Sequence, residues 1–147
     1  MSIFDSFSIN ASGLTAERYR MDVISENIAN IDTTRTEDGT PYRRKLVTFE
    51  EKGKNGTFAS ALAKAKGDYI GGGVRVGKTY EDTETEMKMV YDPSHPDADE
   101  NGYVTYPNVN VITEMTDLID ASRSYEANVT AFNAAKNMAL KALEIGK

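Results

Sequence analysis

The residues 72–79, Gly72-Gly73-Val74-Arg75-Val76-Gly77-Lys78-Thr79, match G-x-x-x-x-G-K-S/T letter for letter. In nucleotide hydrolases the backbone N–H groups of such a loop cradle phosphates. That chemistry needs a strand before the glycines and a helix opening at the lysine, so that the positive helix end faces the anion. Here Val74, Val76 and Tyr80 alternate with Arg75 and Lys78, and the following Glu81, Asp82, Glu84 and Glu86 repel a triphosphate. The expected structure is a glycine bend leading into a strand. A nucleotide-binding enzyme is the alternative reading of the same letters.

A second stretch, Asp97-Ala98-Asp99-Glu100-Asn101-Gly102, offers oxygen ligands and a glycine where a calcium loop has them. The residue that should close the loop as a bidentate Glu is Asn108, and Pro96 and Pro107 forbid continuous flanking helices. A hairpin turning on Asn101-Gly102 explains the letters without a metal. His95 lies between Ser94 and Pro96 with no G-x-S-x-G elbow in the chain, so it reads as a turn histidine. The carboxylates of 81–86 form one polar run with nothing to desolvate them and read as a solvated acidic face. Arg43-Arg44-Lys45, close to Glu50 and Glu51, reads as an ion-pairing strand edge rather than a phosphate site. The absence of cysteine removes disulfides, thiolate metal sites and thiol catalysis together. No catalytic residue, cofactor or metal is expected.

The elements that would carry these residues fall into three parts. In residues 1–32, Phe7, Leu14, Met21 and Ile28 recur every seventh position, the mark of one long amphipathic helix. Residues 33–107 hold all four prolines and most of the glycines, with strand patterns at 43–50, 74–80, 86–91 and 103–106 and a short alanine-rich helix at 57–66. In residues 108–147, Asn110 is a good N-cap and no glycine or proline follows until Gly146. That segment places Val111, Met115, Leu118, Ser122, Tyr125, Val129 and Phe132 on one narrow stripe. The predicted fold is α+β: the terminal helices pair as an antiparallel coiled coil around a small β-rich insert. Phe7, Leu14, Met21, Ile28, Met115, Leu118, Tyr125, Val129 and Phe132 form the seam, with Ile31 near Val111 and Arg18 near Glu126. Ala134, Met138, Ala142 and Ile145 make a second apolar row roughly opposite the first, which a lone hairpin leaves wet. We expect other chains to cover it.

With 147 residues, 39% hydrophobic and 27% charged, the chain has room for one ordinary domain or two small ones. The 17 basic and 23 acidic residues give a net charge of -6, the wrong sign for a nucleic-acid partner. No stretch approaches a transmembrane helix, so direct membrane insertion is not expected. The opening Met1-Ser2-Ile3-Phe4-Asp5 has neither a basic n-region nor an apolar h-region, so a cleaved secretory signal is not expected either.

The first helix carries Gly13-Leu14-Thr15-Ala16, Arg20-Met21 and Asn27-Ile28-Ala29-Asn30, and the second carries Glu114-Met115, Leu118-Ile119, Ala121, Arg123 and Tyr125-Glu126-Ala127-Asn128. With these fragments in order, both ends resemble the axial proteins of the bacterial flagellum. The segment from Tyr91-Asp92-Pro93 to Tyr106-Pro107-Asn108-Val109, with the short insert, is most similar to proximal rod proteins of the basal body. The resemblance implies a structural rod subunit that polymerises with copies of itself and other rod proteins and transmits torque. It also implies delivery outside the cytoplasmic membrane by the flagellar type III export apparatus. A helical adaptor or secreted effector is the rival without enzymatic chemistry.

Overall fold

The computed structural model describes residues 3–53, 62, 65 and 71–145. Its elements are α1 (Ile3–Ala29), β1 (Lys45–Glu51), β2 (Val74–Glu81), β3 (Lys88–Tyr91), β4 (Tyr103–Tyr106) and α2 (Val111–Ile145). Two long terminal helices thus flank a small antiparallel β insert, the α+β arrangement read from the sequence. Strands form where alternation predicts them, with β1 starting at Lys45 rather than Arg43 and β3 at Lys88 rather than Glu86. The helix expected at 57–66 lies outside the described residues except for Leu62 and Ala65, which are helical.

Local chemistry sets the helix ends. α1 stops where the Asn30 side-chain amide and backbone N–H both donate to the Glu26 carbonyl, at 2.9 and 3.1 Å, satisfying an end carbonyl twice. α2 starts where Asn110 Oδ1 accepts the N–H groups of Ile112 and Thr113, the N-cap expected there.

β3 pairs antiparallel with β4, Lys88 opposite Tyr106 and Tyr91 opposite Tyr103. Their connection is longer than the tight hairpin expected on Asn101-Gly102. Asp99 Oδ1 accepts the N–H groups of Asn101 and Tyr103, each at 2.8 Å, and Gly102 turns into β4 at φ +80°. An aspartate-built turn at the end of a loop replaces the two-residue turn.

The residues cluster into two compact units. One consists of Met1–Tyr19, Thr48–Gly77 and Ala121–Lys147, and the other of Arg20–Val47 and Lys78–Asp120. In the first, the Phe7 and Phe132 rings lie 5.0 Å apart at 56°. Gly13 faces Asn128, and a Cβ at that glycine would fall 2.9 Å from Asn128 Oδ1. Ser12 Oγ accepts the Val74 N–H at 3.0 Å. Gly73, at φ +97°, leaves the space that this hydroxyl needs, since a Cβ there would sit 2.2 Å from it. Gly73 of the phosphate-loop lookalike therefore serves a close approach of backbone to helix, Gly77 lies against the Glu50 side chain, and β2 starts at Val74 where phosphate binding would need a helix. In the second unit, Val23, Ile24, Tyr42 and Val104 are the buried hydrophobic residues.

On α2 the buried row lies one residue earlier than the apolar pattern suggests, while α1 buries Ala16, Val23, Ile24 and Asn27. On α1 the row Gly13, Arg20, Asn27 is buried or half-buried, and on α2 so is the row Glu114, Ala121, Asn128, Ala135. Both repeat every seventh residue, as a coiled-coil seam does. Phe7, Leu14, Met21, Ile28, Leu118, Tyr125, Val129 and Phe132 are half-buried beside these rows. Met115 is a correction: it is exposed, and the neighbouring Glu114 takes the buried place. The shift arises because small and polar residues occupy the central positions and carry no hydrophobic signal. The antiparallel register stays within one to three residues of the expected one, since Asn128 faces Gly13, Glu114 bonds Asn27 and Phe132 faces Phe7. Arg18 and Glu126 are both exposed, and no ion pair joins them among the described residues.

Candidate functional site

Within the unit formed by Arg20–Val47 and Lys78–Asp120, a buried polar clasp ties the end of α1 and the start of α2 to the strands. At its centre is Asn27, 1% exposed, whose amide is fully used. Its Nδ2 donates to the Lys45 carbonyl at 2.9 Å and to Glu114 Oε2 at 3.0 Å. Its Oδ1 accepts the Tyr42 hydroxyl and the Lys45 N–H, both at 2.9 Å. The amide thereby completes the edge of β1 as another strand would, while its side chain is held by α2.

Glu114, 1% exposed, accepts Arg44 Nε at 2.6 Å on its other oxygen. Arg44 also reaches Asp117 at 3.3 Å, and its backbone N–H donates to Asn108 Oδ1 at 2.8 Å. Asn108 Nδ2 continues to the Asp82 carbonyl at 2.9 Å. Lys45 at the start of β1 and Arg44 just before it are ion-paired, as expected, but their partners are Glu114, Asp117 and Glu26 on the helices. Glu50 pairs with Arg75 instead.

Burial raises the Tyr42 hydroxyl to a pKa of about 12, with the charges of Glu26, Glu114 and Glu81 adding to the effect. It stays protonated and can always donate to Asn27. Asp82 corrects the solvated-face reading of 81–86, because it is buried under the turn that follows β2. The Thr85 N–H and hydroxyl, then the Glu84 N–H and the Arg44 charge, hold its carboxyl below the ordinary value despite desolvation. A depressed carboxyl stabilises the fold at pH values above its unfolded pKa, and the gain is lost as pH falls through the folded one. The chain should lose stability in acid below about pH 4, and Asp82→Asn should flatten part of that slope. Urea unfolding repeated across that range would measure it, and an unchanged slope would show that other carboxylates carry the effect.

The other residues singled out for chemistry are held in local structure. Asp97 accepts the Thr34 hydroxyl at 2.8 Å and faces Arg35 at 3.7 Å, while Asp99 is committed to its turn. His95 Nδ1 accepts the Asp97 N–H at 3.1 Å, and its ring faces Tyr106. Among the described residues no group of His, Asp and Glu is arranged to hold a metal ion. No described helix is long and apolar enough to cross a membrane.

Apart from the clasp, the last turns of α2 carry exposed large hydrophobics. Met138, Leu140, Leu143 and Ile145 are all exposed, Ile145 at 85%, together with Ala134 and Ala142.

Relatives cover this chain from end to end. The flagellar basal-body rod protein FlgC of Bacillus subtilis is 50% identical over 153 residues, spanning 100% of both chains. The chain belongs to the FlgC family of flagellar basal-body rod proteins. FlgC of Borreliella burgdorferi is 46% identical over 99% of this chain and 98% of its own, and FlgC of Escherichia coli 40% over 100% of both. Residues 7–35 match the family described as Flagella basal body rod protein, and residues 100–145 the one described as Flagellar basal body rod FlgEFG protein C-terminal.

The residues that carried the resemblance divide into two sets. Asn27 is the clasp centre, Asn30 ends α1, Asn128 packs on Gly13, and Ile28 and Tyr125 are half-buried. Ala29, Arg123, Glu126 and Ala127 are exposed. Reading for chemistry missed Tyr42 and the bonding roles of Asn108 and Glu114, and it gave Arg44 other partners than Glu114 and Asp117. The signal that finds two clasp members is the seven-residue row, which runs through Asn27 on α1 and Glu114 on α2.

Proposed function

We propose that this chain is a structural subunit of the proximal part of the flagellar basal-body rod, polymerising with copies of itself and related axial proteins to transmit torque. The observation that carries this reading is the full-length similarity to FlgC proteins. Two features of the fold support it. The clasp fixes helix ends to strands by directional bonds, which suits a subunit that must resist shear. The exposed row Ala134, Met138, Ala142, Ile145 offers neighbours the apolar surface a monomer leaves wet. Delivery through the flagellar type III export apparatus, without a cleaved signal, belongs to the same proposal.

Detecting the chain by imaging and mass spectrometry in purified basal bodies tests the reading directly; its absence from the rod would overturn it. At micromolar concentration the free chain should show less helix by circular dichroism than the 27 and 35 residues of α1 and α2 require. The uncovered end of α2 buries too little surface to offset its ordering entropy. Full helicity in the monomer would show that neighbours are not needed.

Lys78 lies on the exposed part of β2, so Lys78→Ala should leave assembly and swimming intact. Magnesium-dependent ATP binding that disappears in this variant would revive the enzyme reading.

A further inference from the structure

The β3–β4 ribbon has one face turned toward the interior and one turned away. Val90 and Val104 are directly paired and lie on the inner face, where Val104 is completely buried. Alternation puts Met89, Tyr91 and Tyr103 on the other face, and these are 63%, 64% and 42% exposed. Three large apolar side chains on one short ribbon face are unusual for a surface that only meets water.

The aromatic part of this face is packed against its own ribbon and turn. Tyr91 and Tyr103 meet edge to face, with centroids 5.2 Å apart at 64°. Gly102 lies against Tyr91, since a Cβ there would fall 3.0 Å from its Cε2 and 3.1 Å from Pro93 Cβ. An exposed ring already fixed by its neighbours loses little entropy when something lands on it, which is the property of a binding anchor.

The surrounding charge selects what can land. The connection from β3 to β4 carries Asp92, Asp97, Asp99 and Glu100 and no lysine or arginine. Arg35 offsets Asp97 only. The other three carboxylates lie in the same loop as the anchor's supports. The only cation on the ribbon, Lys88, alternates onto the opposite face from Tyr91. Tyrosine faces attract cations, and nearby carboxylates reinforce the attraction.

We propose that the outward face of the β3–β4 ribbon, anchored on Tyr91 and Tyr103, docks a segment of another protein that presents an arginine or lysine beside apolar residues. The surface belongs to a different unit from the exposed end of α2 and gives the subunit a second, charge-selective contact. The proposal rests on the rod-subunit reading only for the setting in which the partner is met.

The test replaces Tyr91 with photoreactive p-benzoylphenylalanine in cells that build flagella and maps the crosslinked peptide by mass spectrometry. The expected adduct joins position 91 to a segment of another chain that contains arginine or lysine within two or three residues of the attachment point. Glu100→Lys, a reversal at an exposed turn, should reduce its yield roughly fivefold, the size of a rim-charge effect. The same photoreactive group at Tyr80, exposed on β2, should give no adduct with that dependence. No adduct from position 91, an adduct on a segment without a basic residue, or a yield indifferent to Glu100→Lys would each overturn the proposal. Failure of the rod reading would show separately, as absence of the wild-type chain from purified basal bodies.

Discussion

Arg44→Ala should lower the unfolding free energy of this chain by about 3–5 kcal/mol, the loss typical when one member of a buried ion pair is removed. Arg44 Nε is 2.6 Å from a carboxylate that is almost wholly shielded from water, so the variant strands the Glu114 charge. The Asn27 amide and the more distant Arg20, 3.9 Å from Asp117, cannot take up that role without moving. Asn108 keeps its bond to the backbone N–H of residue 44, so strand pairing survives and the cost is electrostatic. Urea unfolding should show a lower midpoint with little change in slope. Arg44→Met combined with Glu114→Met should recover much of the loss, because removing both charges removes both desolvation costs. A loss below about 1 kcal/mol for Arg44→Ala would put the pair in the class of exposed ion pairs and remove the clasp as a stabilising feature.

The same residues explain what could and could not be read beforehand. The two helices announce themselves because a run without glycine or proline and with a seven-residue period has few other structures available. Strand positions are legible for a related reason, as Val74, Val76 and Tyr80 can share a face only in an extended chain. The centre of the helix seam is hidden, because Gly13, Ala121 and Asn128 work by being small or by bonding across the gap. The clasp is less legible still. Arg44 and Glu114 are 70 positions apart, and each taken alone is an ordinary surface charge. Asp82 looks solvated in an acidic run, and only the fold supplies the Thr85 and Glu84 donors in a geometry that accommodates its burial. The phosphate-loop lookalike shows the opposite error, a pattern with an accepted chemical meaning whose Gly73 packs against Ser12 and whose Gly77 packs against Glu50.

Ala142→Glu should nearly abolish incorporation into the rod while barely changing the free subunit. In the single chain Ala142 is exposed, so a glutamate there loses only the few tenths of a kcal/mol that separate it from alanine in helix propensity. In the assembly the proposed neighbour lies against that position. Burying an unpaired carboxylate there should cost several kcal/mol at each interface, and the cost recurs with every subunit added. Leu118→Glu provides the contrast, because Leu118 is half-buried within the single chain and its replacement should lower the monomer's unfolding midpoint first. The decisive comparison is rod occupancy in purified basal bodies against the urea midpoint of the free chain, measured for both variants. If Ala142→Glu entered basal bodies at the wild-type level, the end of α2 would be alanine-rich solvent surface. The contact between neighbours would then have to be sought on other faces, beginning with the exposed Ile112 and Ile119 near the start of the same helix.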